Sequence, residues 1–346
     1  MTLTVLSVAY PLAPVGSDRT GGAEQVLTSV EEAIVRAGHT SLVLAAAGSS
    51  CRGTLFPVEH PRGPFDVAAK DAAQRRVRRV MDEILDRFPV DVVHAHGVDF
   101  DAYLPREGPA LLATLHLPPH FYAPAVYSIA RPRTRFNCVS ESQRRACPAT
   151  RVPVSLVPNG VELGDFDGRS SKDSFVLALG RICPEKAFHV AIDAAKLADR
   201  DLVLAGELFP YPEHVDYFEG QIAPRLDARR RFVGPIGREA KRDLLARASA
   251  LLVTSVAPET SSLVAMEALA SGTPVVAAPV GALLEIVEDG RTGFFASSAS
   301  EVAAAIARAG AIAPETCRAV AEDRFSAESM TRAYLQAYEE LAVAAR

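Results

Sequence analysis

The sequence predicts an α/β protein built from two doubly wound parallel sheets. Short apolar runs alternate with amphipathic stretches along the whole chain, a pattern typical of βαβ units. A polar, glycine-rich segment near residues 159–173 interrupts the alternation, which then begins again. A length of 346 residues is enough for two domains. We therefore expect an N-terminal domain over residues 1–160 and a C-terminal domain over residues 161–326.

The predicted strands are short runs rich in Val, Leu and Ala. In the first half they cover residues 3–9, 41–46, 91–95, 111–115, 135–139 and 154–157, with long helices over 23–37 and 67–87. In the second half they cover residues 175–179, 201–205, 230–233, 250–254, 274–277 and 292–295, each followed by a helical pattern. Helices over 299–309 and about 327–344 end the chain. Ligands of such sheets bind at the carboxyl ends of the strands, so the residues directly after each strand are the candidate site residues.

Composition argues against several classes of protein. The formal net charge is −5, whereas a nucleic-acid binder is usually basic, so we expect no nucleic-acid partner. Five Cys without a C-x-x-C pair, and an N-terminus without a basic region or cleavage signal, predict a reduced cytoplasmic protein. The long uncharged stretches 108–130 and 268–284 each contain Pro, so we expect no membrane-spanning helix.

The segment 258–276 has the most specific pattern in the chain. Glu259 directly follows a predicted strand, and Glu267 lies two turns into the helix after it. Carboxylates at these places could accept hydrogen bonds from two sets of sugar hydroxyls, while the first N–H groups of the helix could hold an anion. The alternative is a surface Glu together with a helical Glu paired with Arg.

A second candidate is the loop GRICPEK at 180–186, which also joins a predicted strand to a helix. Arg181 and Lys186 could converge on one diphosphate, because guanidinium supplies a planar fork and ammonium a point charge. The alternative is an ordinary solvated loop.

A third candidate is the pair Gly21 and Gly22, directly before the first long helix. Glycine lets the backbone approach a phosphate closely. The surrounding residues match neither a G-x-G-x-x-G fingerprint nor a Walker loop, so NAD and ATP sites lack their signatures.

Two features raise the question of a metal. His94 and His96 end one predicted strand on the same side, and His116 ends the next, but no H-E-x-x-H motif or Cys pair accompanies them. The D-x-D strings at 99–101 and 165–167 could hold a divalent metal against a diphosphate. We expect histidines that contact substrate, solvated loop carboxylates and no metal.

Taken together, these residues resemble the retaining glycosyltransferases of family 4, which have the GT-B fold. The resemblance covers nearly the whole chain, and its motifs occur in family order. They are GGAEQ at 21–25, VHAHG at 93–97, TLH at 114–116, NCVSES at 137–142, VPNGVE at 157–162, GRICPEK at 180–186, the pair Glu259 and Glu267, and GALLEIVEDGRTG at 281–293. The resemblance implies two Rossmann-like domains facing across a cleft. The last helix, 327–346, would pack back on the N-terminal, acceptor-side domain.

The resemblance also implies site residues. The implied catalytic residues are His116, near the donor sugar and reaction centre, together with Arg181 and Lys186 at the diphosphate and Glu259 at the sugar hydroxyls. The implied nucleotide-sugar contacts are Gly22, Arg181, Lys186, Glu259, Ser261, Ser262, Leu263 and Glu267, the last of these at the ribose.

The implied reaction transfers a sugar from an NDP-sugar to a hydroxyl acceptor with the anomeric configuration kept. We expect UDP- or dTDP-sugars as donors. No cofactor or metal is implied, because Arg181, Lys186 and a helix N-terminus would offset the charge of the leaving group.

The chain departs from the family pattern at three positions. Ser261 and Ser262 stand where the family usually has Phe-Gly, and Ala187 follows the lysine where Gly is common. The two serines could supply hydroxyl donors or reshape the sugar pocket, which leaves the donor sugar open.

The acceptor side has weaker signals. His96 would lie on this side, and the Pro-rich segment 116–135 carries Phe121, Tyr122 and Tyr127, whose rings could stack on a sugar or pack within the loop. We expect a small-molecule or oligosaccharide acceptor. Arg-rich, GC-rich character suggests an actinobacterium-like source, where tailoring of an avilamycin-type oligosaccharide antibiotic would be a fitting pathway.

Two other functions remain open from the sequence. An NDP-sugar epimerase or a phosphorylase could use the same fold, and a phosphorylase would need a pyridoxal-phosphate lysine in the second domain. A non-catalytic nucleotide-sugar-binding module is the other alternative, suggested by Ser261 and Ser262.

Overall fold

The computed structural model describes residues 2–16, 21–59, 67–105, 107–166 and 171–343. Contacts divide the chain into two compact units, Met1–Asn159 with Glu328–Arg346 (unit 1) and Gly160–Ala327 (unit 2). Each unit contains one parallel sheet with helices packed against it, so the predicted fold class is confirmed. Among the described residues, no helix is both long and apolar enough to cross a bilayer.

In the described residues, unit 1 has seven strands and four α-helices before the chain passes to unit 2. These elements are β1 (Thr4–Val8), α1 (Gly22–Arg36), β2 (Thr40–Ala46), β3 (Thr54–Val58), α2 (Val67–Arg87), β4 (Val92–Ala95), β5 (Ala110–Leu115), α3 (Pro124–Tyr127), β6 (Thr134–Cys138), α4 (Glu141–Ala146) and β7 (Val154–Leu156). The strand order is β3-β2-β1-β4-β5-β6-β7, and every pair is parallel.

The strand β3 was not predicted, because Pro57 lies inside it. Proline cannot donate to a ladder and is therefore confined to edge strands and bulges. The structure places β3 at the edge of the sheet, paired with β2 alone, so the missing donor disrupts no second ladder.

Unit 2 repeats the alternation, with six strands in its described residues. Its elements are β8 (Val176–Leu179), α5 (Phe188–Leu197), β9 (Leu202–Ala205), α6 (Pro212–Tyr217), β10 (Arg230–Phe232), α7 (Arg238–Arg247), β11 (Ala250–Val253), α8 (Leu263–Ala270), β12 (Val275–Ala277), α9 (Leu283–Ile286), β13 (Gly293–Phe295), α10 (Ala299–Ala309) and α11 (Pro314–Arg324). The strand order is β10-β9-β8-β11-β12-β13, again all parallel. The helix α11 was not predicted; it opens on Pro314, a residue that suits the first turn of a helix although it breaks later ones.

Both faces of the unit 2 sheet are covered, as a doubly wound fold requires. Along β8, Val176 and Ala178 pack with α5 and α10, whereas Leu177 and Leu179 pack with α8 and α11. Because side chains of a strand alternate between faces, this apolar run is buried on both sides. Because helices cover both faces of the sheet, polar site residues gather at the carboxyl ends of its strands.

The last helix, α12 (Ala327–Val343), belongs to unit 1 from Glu328 onward. Two aromatic side chains four residues apart, Tyr334 and Tyr338, are fully buried there. Where the chain enters and leaves unit 2, Val161 N–H donates to the Phe325 carbonyl (2.8 Å) and Ala327 N–H donates to the Val161 carbonyl (2.9 Å).

Candidate active site

The strand-end loops of unit 2 form one continuous rim. Four backbone hydrogen bonds join the five loops, each between loops that follow neighbouring strands. These bonds run from Gly206 N–H to the Gly234 carbonyl (2.9 Å), from Ile182 to Glu207 (2.9 Å), from Val256 to Glu185 (2.8 Å) and from Ala282 to Glu259 (2.8 Å). The loops after β8, β9, β10, β11 and β12 are therefore held together as one surface.

Lys186 and Glu259 meet on this rim. The Lys186 Nζ lies 2.5 Å from Glu259 Oε1, and the Ser255 hydroxyl donates to the same oxygen. Gly281, at φ +56°, packs beneath Glu259 so closely that a Cβ would collide with its backbone. A positive φ and this close approach both favour glycine here. The structure thus joins two separately predicted residues, 73 positions apart, into one fixed ion pair.

Glu267 is held by a residue that the sequence did not single out. Its side chain is only 6% exposed, and its Oε1 lies 2.6 Å from Nζ of Lys241 on α7. The expected alternative was a pairing with Arg, whereas the partner is Lys. Lys is rare in this chain, with five among 37 basic residues, and two of the five pair with the predicted carboxylates. The low number of Lys residues is the feature of the sequence that could have singled out Lys241 as a site residue.

Arg181 lies exposed on the same loop as Lys186. Burial, and next the positive charge of Arg181, lower the pKa of His214, which places the guanidinium beside that ring on α6. Among the described residues, no ion pair or side-chain hydrogen bond engages Arg181. Its charge is therefore available to an anion, whereas the charge of Lys186 is shared with Glu259.

Ala187 shows why glycine is common at its position. Its φ of 46° and ψ of 41° are left-handed, a conformation that costs an L-residue roughly 1–2 kcal/mol. The Thr254 hydroxyl lies 3.0 Å from the Lys186 carbonyl and 3.1 Å from the Ala187 carbonyl, and donates at this turn. The turn that presents Lys186 is thus retained without glycine.

The N-terminus of α8 is open. Its N-cap residue, Ser262, is buried but makes no side-chain capping bond, and Leu263 begins the helix. The hydroxyl of Ser261 is also buried and lacks a hydrogen-bond partner within the described part of the chain. Uncapped N–H groups carry partial positive charge and suit a phosphate or carboxylate.

In unit 1, three histidines form a connected cluster at the ends of β4 and β5. His96 Nε2 lies 3.1 Å from His94 Nδ1, and His96 Nδ1 lies 3.0 Å from His116 Nε2. His94 is also bonded to Tyr338 (2.6 Å) and to Thr114 (2.8 Å). The expectation that His94 and His96 point to the same side is confirmed.

These histidines are neutral. Burial lowers the pKa of His116 to about 4, and burial followed by the neighbouring imidazoles lowers the pKa of His94 and His96 well below the ordinary value. A neutral imidazole can accept a hydrogen bond at one nitrogen and donate at the other. The cluster therefore offers hydrogen bonds without net charge.

The third candidate from the sequence is the glycine pair before the first long helix, and Gly22 is the first residue of α1. The N-cap residue Gly21 is extended, with φ −71° and ψ 134°, and no side chain caps the helix. Burial raises the pKa of Glu24 in the first turn. The preceding residues 17–20 lie outside the described part of the chain.

The aromatic residues on the acceptor side divide into two kinds. Tyr122 is buried in the core, where its hydroxyl accepts from Leu117 N–H (3.2 Å), and Tyr127 is mostly buried with its hydroxyl donating to Pro119 (2.7 Å). Phe121 is instead 52% exposed. The expectation of ring stacking on a ligand therefore fits Phe121, whereas Tyr122 and Tyr127 pack within the protein.

Two exposed aromatic side chains were not singled out in the sequence. Phe209 and Tyr211 follow β9, with ring centroids 6.0 Å apart and 39% and 45% exposure. They stand on the loop whose Glu207 carbonyl is bonded to Ile182, next to Arg181. Together with Phe121 they are the aromatic residues that are largely exposed in the described part of the chain.

Two carboxylates of the acidic strings, Asp99 and Asp165, are not the solvated groups that we expected. Asp99 is buried and accepts from Gln74 Nε2 (2.7 Å), because α2 packs over the end of β4. Asp165 pairs with Arg238, while Asp167 lies outside the described residues. Over the described ranges, no group of three or more His, Cys, Asp or Glu side chains is arranged to hold a metal.

Comparison with known protein families covers most of the chain. Residues 20–165 match the family model described as Glycosyltransferase Family 4, and residues 173–310 match the one described as Glycosyl transferases group 1. A phosphatidyl-myo-inositol mannosyltransferase of Mycobacterium tuberculosis is 26% identical over 314 residues, which are 82% of this chain and 80% of that protein. A D-inositol 3-phosphate glycosyltransferase of Streptomyces avermitilis is 38% identical over 169 residues, 42% of this chain and 36% of that protein.

Solved structures share the architecture over the full length. AviGT4, a glycosyltransferase involved in avilamycin A biosynthesis, has a TM-score of 0.73 at 26% identity and is matched over 99% of this chain and 98% of its own. The sucrose-phosphate synthase of Thermosynechococcus elongatus has a TM-score of 0.79 at 19% identity, over 99% of this chain and 100% of its own. The two Rossmann-like sheets, together with the similarity to these solved glycosyltransferase structures, confirm the predicted GT-B fold.

Proposed function

The chain belongs to the family 4 glycosyltransferases, and from this premise we propose that it transfers a sugar from an NDP-sugar to a hydroxyl acceptor, with retention and without a metal. The observation that carries the proposal is the rim of unit 2. There a free guanidinium at Arg181, the Lys186–Glu259 pair and the open N-terminus of α8 lie on loops tied by backbone hydrogen bonds. We assign the nucleotide sugar to unit 2 and the acceptor to unit 1.

The charges of the rim suit a departing diphosphate. Arg181 and Lys186 would bind its oxygens, and Gly22, Ser261, Ser262 and Leu263 would add close backbone or hydroxyl contacts. As the sugar–phosphate bond breaks, negative charge grows on the leaving group, and fixed cations stabilise it without reorganisation. This set of donors takes the place that a divalent cation fills in other transferases, which is why we propose a metal-independent reaction.

The two glutamates would contact different parts of the donor. Glu259 would accept from hydroxyls of the sugar, held by Lys186 and Ser255 in one orientation. Glu267 would accept from ribose hydroxyls, with Lys241 holding its carboxylate in place. His116 would contact the donor sugar near the reacting carbon, and His96 and Phe121 would stand on the acceptor side.

The acceptor class rests on the relatives. The mannosyltransferase and the inositol-phosphate glycosyltransferase are named for acceptors that carry an inositol ring, and AviGT4 is involved in avilamycin A biosynthesis. We propose a ring hydroxyl of a cyclitol or a sugar as the nucleophile. All five cysteines are free, which fits a reducing compartment, and we propose the cytoplasm.

The direct test is NDP release from UDP-, dTDP- and GDP-sugars, each with and without EDTA and with D-inositol 3-phosphate as a first acceptor. We expect release from one base class, unchanged by EDTA. Activity that EDTA abolishes and Mn²⁺ or Mg²⁺ restores would refute metal independence and return Asp99 and Asp101 to consideration. NDP binding without release from any donor, with the acceptor present, would favour the non-catalytic binding module.

A further inference from the structure

A cavity lined by arginines lies at the edge of the unit 1 sheet where its strands begin. Its volume is about 390 Å³, within the range of small-molecule sites, roughly 300–1,000 Å³. The walls come from residues at the beginning of β6, residues just before β7, and Leu341 of α12. Because the strands are parallel, this edge is opposite to the one that carries the three histidines. The arginines that line the cavity are Arg131, Arg133, Arg135 and Arg151.

Backbone carbonyl groups hold two of these arginines in place. Arg131 donates from Nε to the Pro105 carbonyl (3.2 Å) and from Nη2 to the Pro109 carbonyl (2.5 Å). Arg133 donates from Nη2 to the Gly108 carbonyl (2.7 Å). A carbonyl fixes a guanidinium but brings no negative charge, so these bonds leave both cations uncompensated. Burial, and next the positive charge of Arg133, lower the pKa of Arg131, as expected for two like charges placed close together.

The other two arginines add charge with little compensation. Arg135 pairs with Glu340 on α12, with Nη1 lying 2.8 Å from Oε2. Arg151 is exposed, and it makes no ion pair or side-chain hydrogen bond within the described part of the chain. Elsewhere in this arginine-rich chain, arginines commonly pair with carboxylates, as Arg229 does with Asp199. Over the described ranges, one carboxylate is therefore paired with four cavity arginines.

The backbone of Arg133 adds a second observation at the same place. Its φ is 52°, in the left-handed region that L-residues seldom adopt. Asn occurs there several times more often than most residues, yet the chain has Arg at a position that lines the cavity. Unfavourable backbone conformations of this kind concentrate at binding sites. The conformation also supplies a test, because Arg133→Asn removes the charge and keeps a residue that suits the backbone.

Guanidinium groups without carboxylate partners suit phosphate, because each offers a planar fork of N–H donors to two oxygens at once. We propose that this cavity binds a phosphate ester, with Arg133 and Arg151 contacting the phosphate and Arg131 adding positive charge beside it. Val152 and Leu341 line the same cavity, and they fit the carbon skeleton of such a ligand. The inference does not rest on the proposed function, since the cavity belongs to unit 1 and to the edge away from the histidines.

Calorimetric titration of the full chain with inorganic pyrophosphate tests the proposal. The parent protein for the titration is the double variant Arg181→Ala/Lys186→Ala, which lacks the cations proposed to bind a diphosphate on unit 2. We expect saturable binding that weakens as the salt concentration rises, because salt screens the charges. Adding Arg133→Asn or Arg151→Gln should weaken this binding about tenfold or more, the scale of a hydrogen bond between charged groups.

Arg78→Gln is the matched control, since it removes an exposed arginine of α2 in the same unit that does not line the cavity. It should keep the affinity of the parent protein. Urea unfolding of each variant, with a midpoint equal to that of the parent, shows that a loss of binding is not a loss of folding.

A second probe distinguishes a soluble phosphate ester from a lipid headgroup. Cosedimentation is measured with phosphatidylcholine vesicles, with and without about one third phosphatidylglycerol. Pyrophosphate binding that is lost in Arg133→Asn and Arg151→Gln supports a soluble ligand. Binding to the anionic vesicles alone, lost in the same variants, supports a lipid phosphate. Absence of binding to both probes, or binding that neither variant weakens, would overturn the proposal.

Discussion

The two sheets expose contrasting groups at their carboxyl edges. In unit 1 the edge carries His94, His96 and His116, which are neutral and bonded to one another. In unit 2 it carries the ion pairs Lys186–Glu259 and Lys241–Glu267. Burial lowers the pKa of the three imidazoles in the first cluster, whereas the second consists of Lys–Glu pairs in direct contact.

This difference matches the two partners of a glycosyl transfer. A diphosphate brings negative charge that increases during the reaction, and it needs cations and N–H groups already in place. A hydroxyl acceptor and the sugar ring are uncharged, and they need hydrogen bonds whose donor and acceptor directions are fixed. Under the proposed function, we therefore expect the charged groups of unit 2 to stabilise the diphosphate and the neutral imidazoles of unit 1 to orient uncharged groups.

Removing the cations of unit 2 should have the largest effect. Arg181→Ala and Lys186→Ala should each lower kcat for NDP release by roughly 10²–10³, the scale for one charge-stabilising contact. Lys196→Ala is the matched control, because this lysine is exposed on α5 and away from the rim. Initial rates at saturating donor measure the effect. Wild-type turnover in the double variant Arg181→Ala/Lys186→Ala would show that these two residues do not bind the diphosphate.

The two glutamates should differ in the kinetic step that they affect. In the proposed function Glu267 contacts ribose in the ground and transition states alike, so Glu267→Gln should weaken NDP binding by about tenfold with kcat little changed. The donor sugar gains positive charge as the diphosphate leaves, so Glu259→Gln should lower kcat by about tenfold or more while NDP affinity survives. Calorimetric NDP affinity and saturating kcat, measured on both variants, test this. The reverse pattern would mean that the nucleotide lies along α8 in the opposite orientation.

The neutral cluster of unit 1 should appear as a dependence of stability on pH. A histidine in the unfolded chain titrates near pH ~6.5, whereas the pKa of folded His116 is about 4. Between these values the unfolded chain binds more protons than the folded one, so the free energy of unfolding decreases as pH falls. Each such histidine contributes a loss of about 1.4 kcal/mol per pH unit.

Urea unfolding of the wild type at pH 7.5 and pH 5 measures that loss. His116→Gln should show a smaller loss than the wild type, since one depressed histidine has been removed. His120→Gln, a change at an exposed histidine of the neighbouring loop, is the control and should keep the wild-type slope. Equal slopes in all three proteins would show that the cluster does not resist protonation.

Much of the fold could be predicted because its information is local. Alternation of apolar runs and helical patterns located the strands of both sheets to within one or two residues, apart from β3, and it located the last helix well. The carboxyl ends of those strands then indicated Lys186, Glu259 and His116 as site candidates. Residues directly after a buried strand emerge at the ligand-binding edge of a parallel sheet, whatever the rest of the chain does.

Only the tertiary structure decided which side chains contact each other. Lys241 meets Glu267 across two helices, and Tyr338 meets His94 across 244 positions of sequence, and no periodic pattern encodes such a pairing. The same holds for Tyr122, whose ring the loop after β5 turns inward, and for Pro57, which is tolerated because its strand lies at an edge. Sequence determined which residue types stand at the strand ends. Packing in three dimensions determined which of them are buried and which of them contact one another, because it brings together residues that are far apart in the sequence.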